Sequence, residues 1–240
     1  MTILQACQDA AVKLSRGVPA LTSVFTNASP FATELLLAAK ETAESLYKEE
    51  TDFRDLTLLA TCQGDATTTV FPLATVAPGY ERLIEGAKLH SLRFKNATFR
   101  AAKDLDEWLF LKDNLLVGSP GNWVILNGAV QIFPPMPVSD TARFFYITNQ
   151  YALSGGGISQ ASFKADTDTF RLDERLLRLG IIWRWLASKK MEYAEDLKNY
   201  EIAKSAFMAK DKGRQLIVVG RQRQSRSNSI AYPAMLGPSP

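Results

Sequence analysis

Residues 123–133, WVILNGAVQIF, carry the clearest structural signal in the chain. Two apolar runs flank Asn127-Gly128, a pair that favours a two-residue type I′ turn because both central residues of that turn need positive φ. Pro134 and Pro135 follow directly and stop the second run from continuing as a strand. The stretch therefore predicts a β-hairpin in the middle of the sequence.

The β pattern extends to both sides of this hairpin. Residues 56–71 are rich in Thr, Leu and Val and are interrupted by Gly64-Asp65, which predicts two strands around a turn. We expect a further strand within 90–99, which includes Leu92 and Phe94, a short helix at 102–111, and another strand at 142–148. A β-rich region thus occupies the centre of the chain.

Helical periodicity replaces the β pattern towards the N-terminus. Apolar residues spaced three and four apart predict a first helix, with Thr2 as its N-cap. Ser29-Pro30 combines an N-cap residue with proline at the first helical position, and it begins a second helix that reaches about Glu50.

Two more helices are predicted towards the C-terminus. A densely apolar helix follows Asp173, with Asp173 or Thr169 as its cap, and an amphipathic helix spans 191–210. Gly213 is the expected C-cap of that last helix.

This order of elements favours an α+β fold rather than a parallel doubly wound sheet. We expect a helical bundle built from the N- and C-terminal helices, with an inserted β-rich region and an extended C-terminal tail. The predicted segments are 1–51 for the N-terminal helices of the bundle, 52–168 for the β-rich insertion, 169–213 for the C-terminal helices of the bundle, and 214–240 for an extended basic tail.

The composition excludes several classes of protein. The chain has 240 residues, of which 46% are apolar and 22% charged, so it can bury a core. The net charge is +3, from 28 Lys and Arg against 25 Asp and Glu, which is too small to indicate a nucleic-acid-binding protein by itself. Neither a membrane span nor a secretory signal is expected from the sequence.

The residues that could support catalysis are few. His90 is the single histidine and has no carboxylate near it in sequence, and Cys7 and Cys62 lack metal-binding spacing. Asp166-Thr-Asp168 and Glu174 could supply oxygen ligands to a hard cation, but Asp and Thr before a helix are also ordinary turn and capping residues. We therefore expect no enzyme activity, no metal and no cofactor.

The last 27 residues differ in kind from the rest. Residues 214–240 contain four arginines and no acidic residue, and they include a short apolar piece, Leu216 to Val219. Such a tail suits DNA phosphates or an acidic protein groove; interleaved Gln and Ser and the lack of stacking aromatics favour the groove. The candidate partner-binding residues of the tail are Arg214, Leu216, Val218, Arg221, Arg223, Arg226, Tyr232 and Leu236.

Aromatic residues of the C-terminal helices are candidates for subunit contacts. Trp183 and Trp185 are two residues apart and cannot face the same side of a helix, so we expect one in the core and allow the other a subunit contact. The candidates for a subunit interface are Trp183, Trp185, Tyr193 and Tyr200.

The stretch FKADTDTFRLDERLLRLGIIWRWLASKKMEYAEDLKNYE, residues 163–201, resembles the adaptor proteins of tailed bacteriophages. These are also called head–tail connector or head-completion proteins. SPFATELLLAAKETA at 29–43 and WVILNGAVQIFPPMP at 123–137 support the resemblance. It covers residues 1 to about 213, and 166–200 is its most specific part.

The resemblance implies a structural role with no catalytic residues. Adaptors of this family form a twelve-subunit ring under the portal vertex, extend the DNA channel and dock the tail or the next neck protein. The implied partners are the portal protein, that tail or neck protein, further copies of this chain, and genomic DNA that passes without sequence-specific contact; no membrane is implied. The implied location is the virion neck at the head–tail junction, after synthesis in the host cytoplasm.

Two other functions stay open at this point. One is a nucleic-acid-binding module that uses the arginine tail. The other is a metal-dependent hydrolase that uses Asp166, Asp168 and Glu174.

Overall fold

Helices flank a run of short strands along the chain. The computed structural model describes residues 1–14, 21–26, 29–48, 52–94, 97–113 and 120–211. The described helices are α1 (Ile3–Leu14), α2 (Pro30–Lys48), α3 (Leu73–Val76), α4 (Leu105–Asp113), α5 (Glu174–Ser188) and α6 (Ala194–Asp211). The described strands are β1 (Thr57–Gln63), β2 (Val70–Pro72), β3 (Tyr80–Leu83), β4 (Leu89–Ser91), β5 (Thr98–Ala101), β6 (Asn122–Leu126), β7 (Ala129–Phe133), β8 (Thr141–Thr148), β9 (Ala152–Leu153), β10 (Ser159–Gln160) and β11 (Thr169–Phe170).

The first eight strands form one mixed sheet that curls into a nearly closed barrel. Its strand order is β1-β8-β4-β5-β6-β7-β2, and β3 also pairs with β8. The pairings are antiparallel except for that of β5 with β6, which is parallel. A second, small sheet has the order β10-β9-β11.

The predicted architecture, a helical bundle with an inserted β-rich region, is wrong. The nearly closed sheet is the larger part of the α+β structure, and it has a core of its own. Its closure depends on pairings such as Thr57 with Ile147, which lie far apart in sequence. Local periodicity shows where helices and strands lie, but it does not show how distant strands pair.

The hairpin prediction is confirmed. Leu126 lies opposite Ala129, and Asn127 and Gly128 adopt φ of +53° and +69°, as a type I′ turn requires. The strands predicted within 56–71 exist as β1 and β2, but they pair with β8 and β7 rather than with each other.

Two caps confirm helix starts that the sequence indicated. The Gln5 backbone N–H donates to Thr2 Oγ1 at 3.3 Å, and the Thr2 N–H donates to Gln5 Oε1 at 3.0 Å, which together make a capping box. Asp173 Oδ1 accepts from the Arg175 N–H at 2.7 Å and caps α5. Thr169, the alternative cap, belongs to β11, and Gly213 lies outside the described residues.

Two hydrophobic cores hold the structure together. One fills the barrel with alternate inward residues of its strands, such as Phe144 and Tyr146 of β8. The other joins α1, α2, α5 and α6 to the small sheet and reaches the barrel through Leu56 and Ile147. Within it, α5 lies among α1, α2 and α6. These four helices therefore form a layer against one end of the barrel. Within the described ranges, no helix is both long enough and apolar enough to cross a membrane.

Candidate partner-binding surfaces

The aromatic residues proposed for subunit contacts also make contacts within the chain. The Trp183 ring lies 6.0 Å from that of Tyr200 and 6.5 Å from that of Tyr193, between centroids, so it joins α5 to the start of α6. The Arg184 guanidinium stacks over the Trp183 ring at 4.7 Å. Trp183 is half-buried, while Tyr193 stays 40% exposed and Tyr200 is 3% exposed. Of the three, Tyr193 offers the most surface to a neighbour, and Tyr200 supports the α5–α6 contact.

Trp185 lies against α2 instead. Its indole Nε1–H donates to Glu34 Oε2 at 2.9 Å, and Phe31 meets its ring edge-on at 5.6 Å. Lys189 also donates to Glu34, at 2.6 Å, and these hydrogen bonds, that from Lys189 first, hold the pKa of the Glu34 carboxyl below its usual range. The two tryptophans therefore attach α5 to different helices, and each leaves a partly exposed edge.

The predicted tail site lies outside the described residues, which end at Asp211. The tail candidates that lie outside the described residues are Arg214, Leu216, Val218, Arg221, Arg223, Arg226, Tyr232 and Leu236.

The carboxylates that could have held a metal bind backbone and side-chain donors instead. Asp166 accepts from the Val24 N–H at 2.8 Å and from Ser23 Oγ at 2.5 Å. Asp168 is buried and accepts from the N–H groups of Lys164 and Ala165 at 2.6 and 2.9 Å. These contacts fix the conformation of the loop that contains Asp166 and Asp168. The start of α1 is attached to the same loop, because the Asp168 carbonyl accepts from the N–H of Ile3 at 2.7 Å.

Glu174, the third carboxylate of the hydrolase hypothesis, also has a partner within the chain. Its carboxylate pairs with the amino group of Met1. In the part of the chain that the structure describes, no group of three or more His, Cys, Asp or Glu side chains is arranged to hold a metal ion. The geometry thus gives the hydrolase hypothesis no support at these residues.

His90 lies exposed on β4, on the outside of the barrel. Across the strands that flank it, Thr98 of β5 and Arg143 of β8 are its register partners. Neither residue is a carboxylate that could orient an imidazole base. This arrangement favours the interpretation of His90 as an ordinary surface residue rather than a catalytic base.

The sequence patterns did not predict one exposed apolar surface of the barrel. Leu92, Phe94 and Val138 are exposed by 52%, 36% and 68% at one end of the barrel, and we call them the loop rim. Leu92 and Phe94 were predicted within a strand, but β4 ends at Ser91 and both follow it in a bend.

A buried carboxylate fixes the loop rim. Asp140 accepts from Ser91 Oγ at 2.8 Å, from the Arg93 N–H at 3.1 Å and from the Thr141 N–H at 2.8 Å. Its carbonyl accepts from the Gly64 N–H at 3.0 Å. The loops that follow β1, β4 and β7 are thereby tied to one residue. In the sequence, Asp140 is simply a polar residue between a Pro-rich loop and a strand. Such residues are common, so this pattern does not identify Asp140.

Comparison with known proteins yields no matching family profile and no similar curated protein.

Proposed function

We propose that this chain is a structural head–tail adaptor of a tailed phage. In this proposal copies of the chain form a ring under the portal, twelve in number as the resemblance implies. The ring extends the DNA channel and docks the tail or the next neck protein. The proposal places the chain in the virion neck, without catalysis and without a cofactor.

The observation that carries the proposal is the α5–α6 pair. The part of the sequence that most resembles phage adaptors forms two packed helices, α5 inside the helical layer and α6 against it. Tyr193 is 40% and Ile202 57% exposed there, and the edges of Trp183 and Trp185 are partly accessible. Apolar and aromatic surface of this kind is typical of protein contacts.

The acid-free tail supports the portal contact. It follows α6 directly and carries arginines at 214, 221, 223 and 226. Arginine forms charge-assisted and often bidentate hydrogen bonds with carboxylates, so an acidic strip on the portal would bind this segment. Tyr232 and Leu236 would add apolar anchors near its end.

The tail is tested by reversing its charge. We expect the Arg221→Glu, Arg223→Glu, Arg226→Glu variant to lose co-sedimentation with portal-bearing, tail-less heads, because its carboxylates would repel the portal strip. The matched control is Lys88→Glu, Lys103→Glu, Lys164→Glu, which changes the net charge equally at exposed body positions and should still bind.

Binding of double-stranded DNA by the same two variants separates the competing function. If the tail variant attaches to heads as well as the unmodified protein does and instead loses salt-dependent DNA binding, the nucleic-acid-binding hypothesis replaces the adaptor's portal contact.

A further inference from the structure

Strand β1 ends the large sheet without the features that usually protect an edge. It pairs with β8 on one side, and no other described strand pairs with it. Its seven residues, TLLATCQ, contain no charge, no proline and no glycine, and its register with β8 is regular. Natural edge strands commonly carry such features because an unguarded edge recruits another strand.

Helix α3 contacts β1 through residues of the barrel core. Leu73 of α3 and Ala77, which follows its last residue, share the barrel core with Ala60 and Cys62 of β1. These contacts involve the inward-facing residues of β1, whereas Leu59, Thr61 and Gln63 of the same strand are exposed. Alternate residues of β1 still direct N–H and C=O groups away from β8.

The last described residue, Asp211, lies close to the start of this edge. Asp211, the last residue of α6, accepts a hydrogen bond from the Arg54 backbone N–H at 3.1 Å. Arg54 lies three residues before β1 begins, and Phe207 of α6 meets the Phe53 ring at 5.5 Å. The C-terminal end of α6 thus lies beside the N-terminal end of β1.

A β-forming segment follows within reach. Leu216-Ile-Val-Val219 consists of residues that favour strands, and glycines at 213 and 220 bound it. Four residues lie between Asp211 and Leu216, and the five Cα-to-Cα steps span up to about 16 Å when extended. Four strand residues cover about 13 Å, roughly half the length of β1.

We propose that residues 216–219 of this chain add to the free edge of their own β1 as a further strand. The segment enters at the N-terminal end of β1 and so runs parallel to it. Its main-chain groups pair with the outward N–H and C=O groups of β1, as in strand addition by a peptide. Residues 221–240 then continue in the direction in which β1 runs, towards the loop rim that Asp140 fixes.

Hydrogen exchange of the full-length protein, measured by mass spectrometry on short peptides, tests this docking. We expect residues 216–219 to exchange at least about 100-fold more slowly than free chain, because paired amides exchange only on local opening. In the Ile217→Pro, Val218→Pro variant the protection of 216–219 and of the outward amides of β1 is lost. One of two adjacent strand residues must face β1, so this pair disrupts the docking in either register.

The matched control is Ser227→Pro, Asn228→Pro, which places the same change beyond the segment and should leave β1 unchanged. Exchange of 216–219 at free-chain rates, or β1 amides indifferent to the first variant, would overturn the proposal. Protection that appears only as the protein concentration rises would also overturn it, because the segment would then lie on a second copy. The measurement uses isolated protein and no phage heads, so its outcome is independent of the adaptor role.

Discussion

Cys7 and Cys62 lie in different hydrophobic cores, so the reactivity of each thiol tests the burial of one core. Cys7 is fully buried in the helical layer and Cys62 in the barrel. Burial raises the pKa of the Cys62 thiol to about 12, and burial together with the negative charge of Asp166 raises that of Cys7 to about 12. Both thiols should therefore be inert in the folded protein, since the thiolate is the reactive form. A thiol-reactive dye at pH 8 should label neither cysteine of the native protein and both after denaturation.

The same pKa values predict a loss of stability in alkali. An unfolded thiol releases its proton near pH 9, whereas each folded thiol keeps its proton to about pH 12. The stability that each thiol confers is complete below pH 9 and falls as the pH rises from 9 towards 12, by about 1 kcal/mol per thiol at pH 10. Urea unfolding at pH 7 and pH 10 should show a smaller alkaline loss for Cys62→Ala than for the unmodified protein. An identical loss in both proteins, or rapid native labelling, would contradict the burial of Cys62.

Residue-scale features were predictable where the chemistry is local. Asn127-Gly128, Thr2 and Asp173 act on groups within a few positions of themselves, so their turn and caps could be inferred from the sequence. Asp140 and Asp166 accept hydrogen bonds from residues as distant as Arg93 and Val24, and no local pattern identifies such acceptors.

The contact between α2 and α5 depends on the absence of a side chain at Gly180. A Cβ at this position would lie 2.1 Å from Thr42 Cγ2 and 2.7 Å from Thr42 Oγ1. Helix propensity alone would make Gly180→Ala stabilising by about 1 kcal/mol. We expect the opposite, a loss of about 1–3 kcal/mol in the free energy of unfolding, because the two helices must separate.

A double-mutant cycle with Thr42→Ala isolates that contact. Removing the Thr42 methyl and hydroxyl makes room for the new methyl, so the double variant should be more stable than the sum of the single changes predicts. Gly156→Ala is the control, since its nearest neighbour is 3.8 Å away and its effect should stay within about 0.5 kcal/mol. Strict additivity in urea unfolding would show that α2 and α5 do not meet at these residues.

At the element scale, the existence of strands and helices was easier to predict than their partners. β1 and β2 follow one another closely in sequence, yet they end up at opposite ends of the strand order. The spacing of Trp183 and Trp185 indicated that their side chains point in different directions. It did not indicate that Trp185 would contact Phe31 and that Trp183 would contact Tyr200. Partner choice depends on contacts between residues that are distant in sequence, such as Phe31 with Trp185 and Thr57 with Ile147, which periodicity does not encode.

At the scale of the whole molecule, the two ends of the chain and its centre form different structural parts. The helices of both chain ends form one layer, whereas the central strands close on themselves and carry their own core. The α5–α6 surface and the loop rim lie on these different parts, and a ring adaptor needs contacts both to neighbouring copies and to proteins above and below. A chain with two surfaces and a basic tail suits that requirement.

Electron cryomicroscopy of the phage neck tests the adaptor role most directly. We predict a ring of twelve copies of this chain directly beneath the portal, with the α5–α6 aromatic surface at subunit contacts and the arginines of residues 221–226 on the portal. Heads assembled without the chain should lack this ring and should not receive a tail. A neck in which another protein occupies the layer beneath the portal, or in which this chain is present as a single isolated copy, would contradict the proposed function.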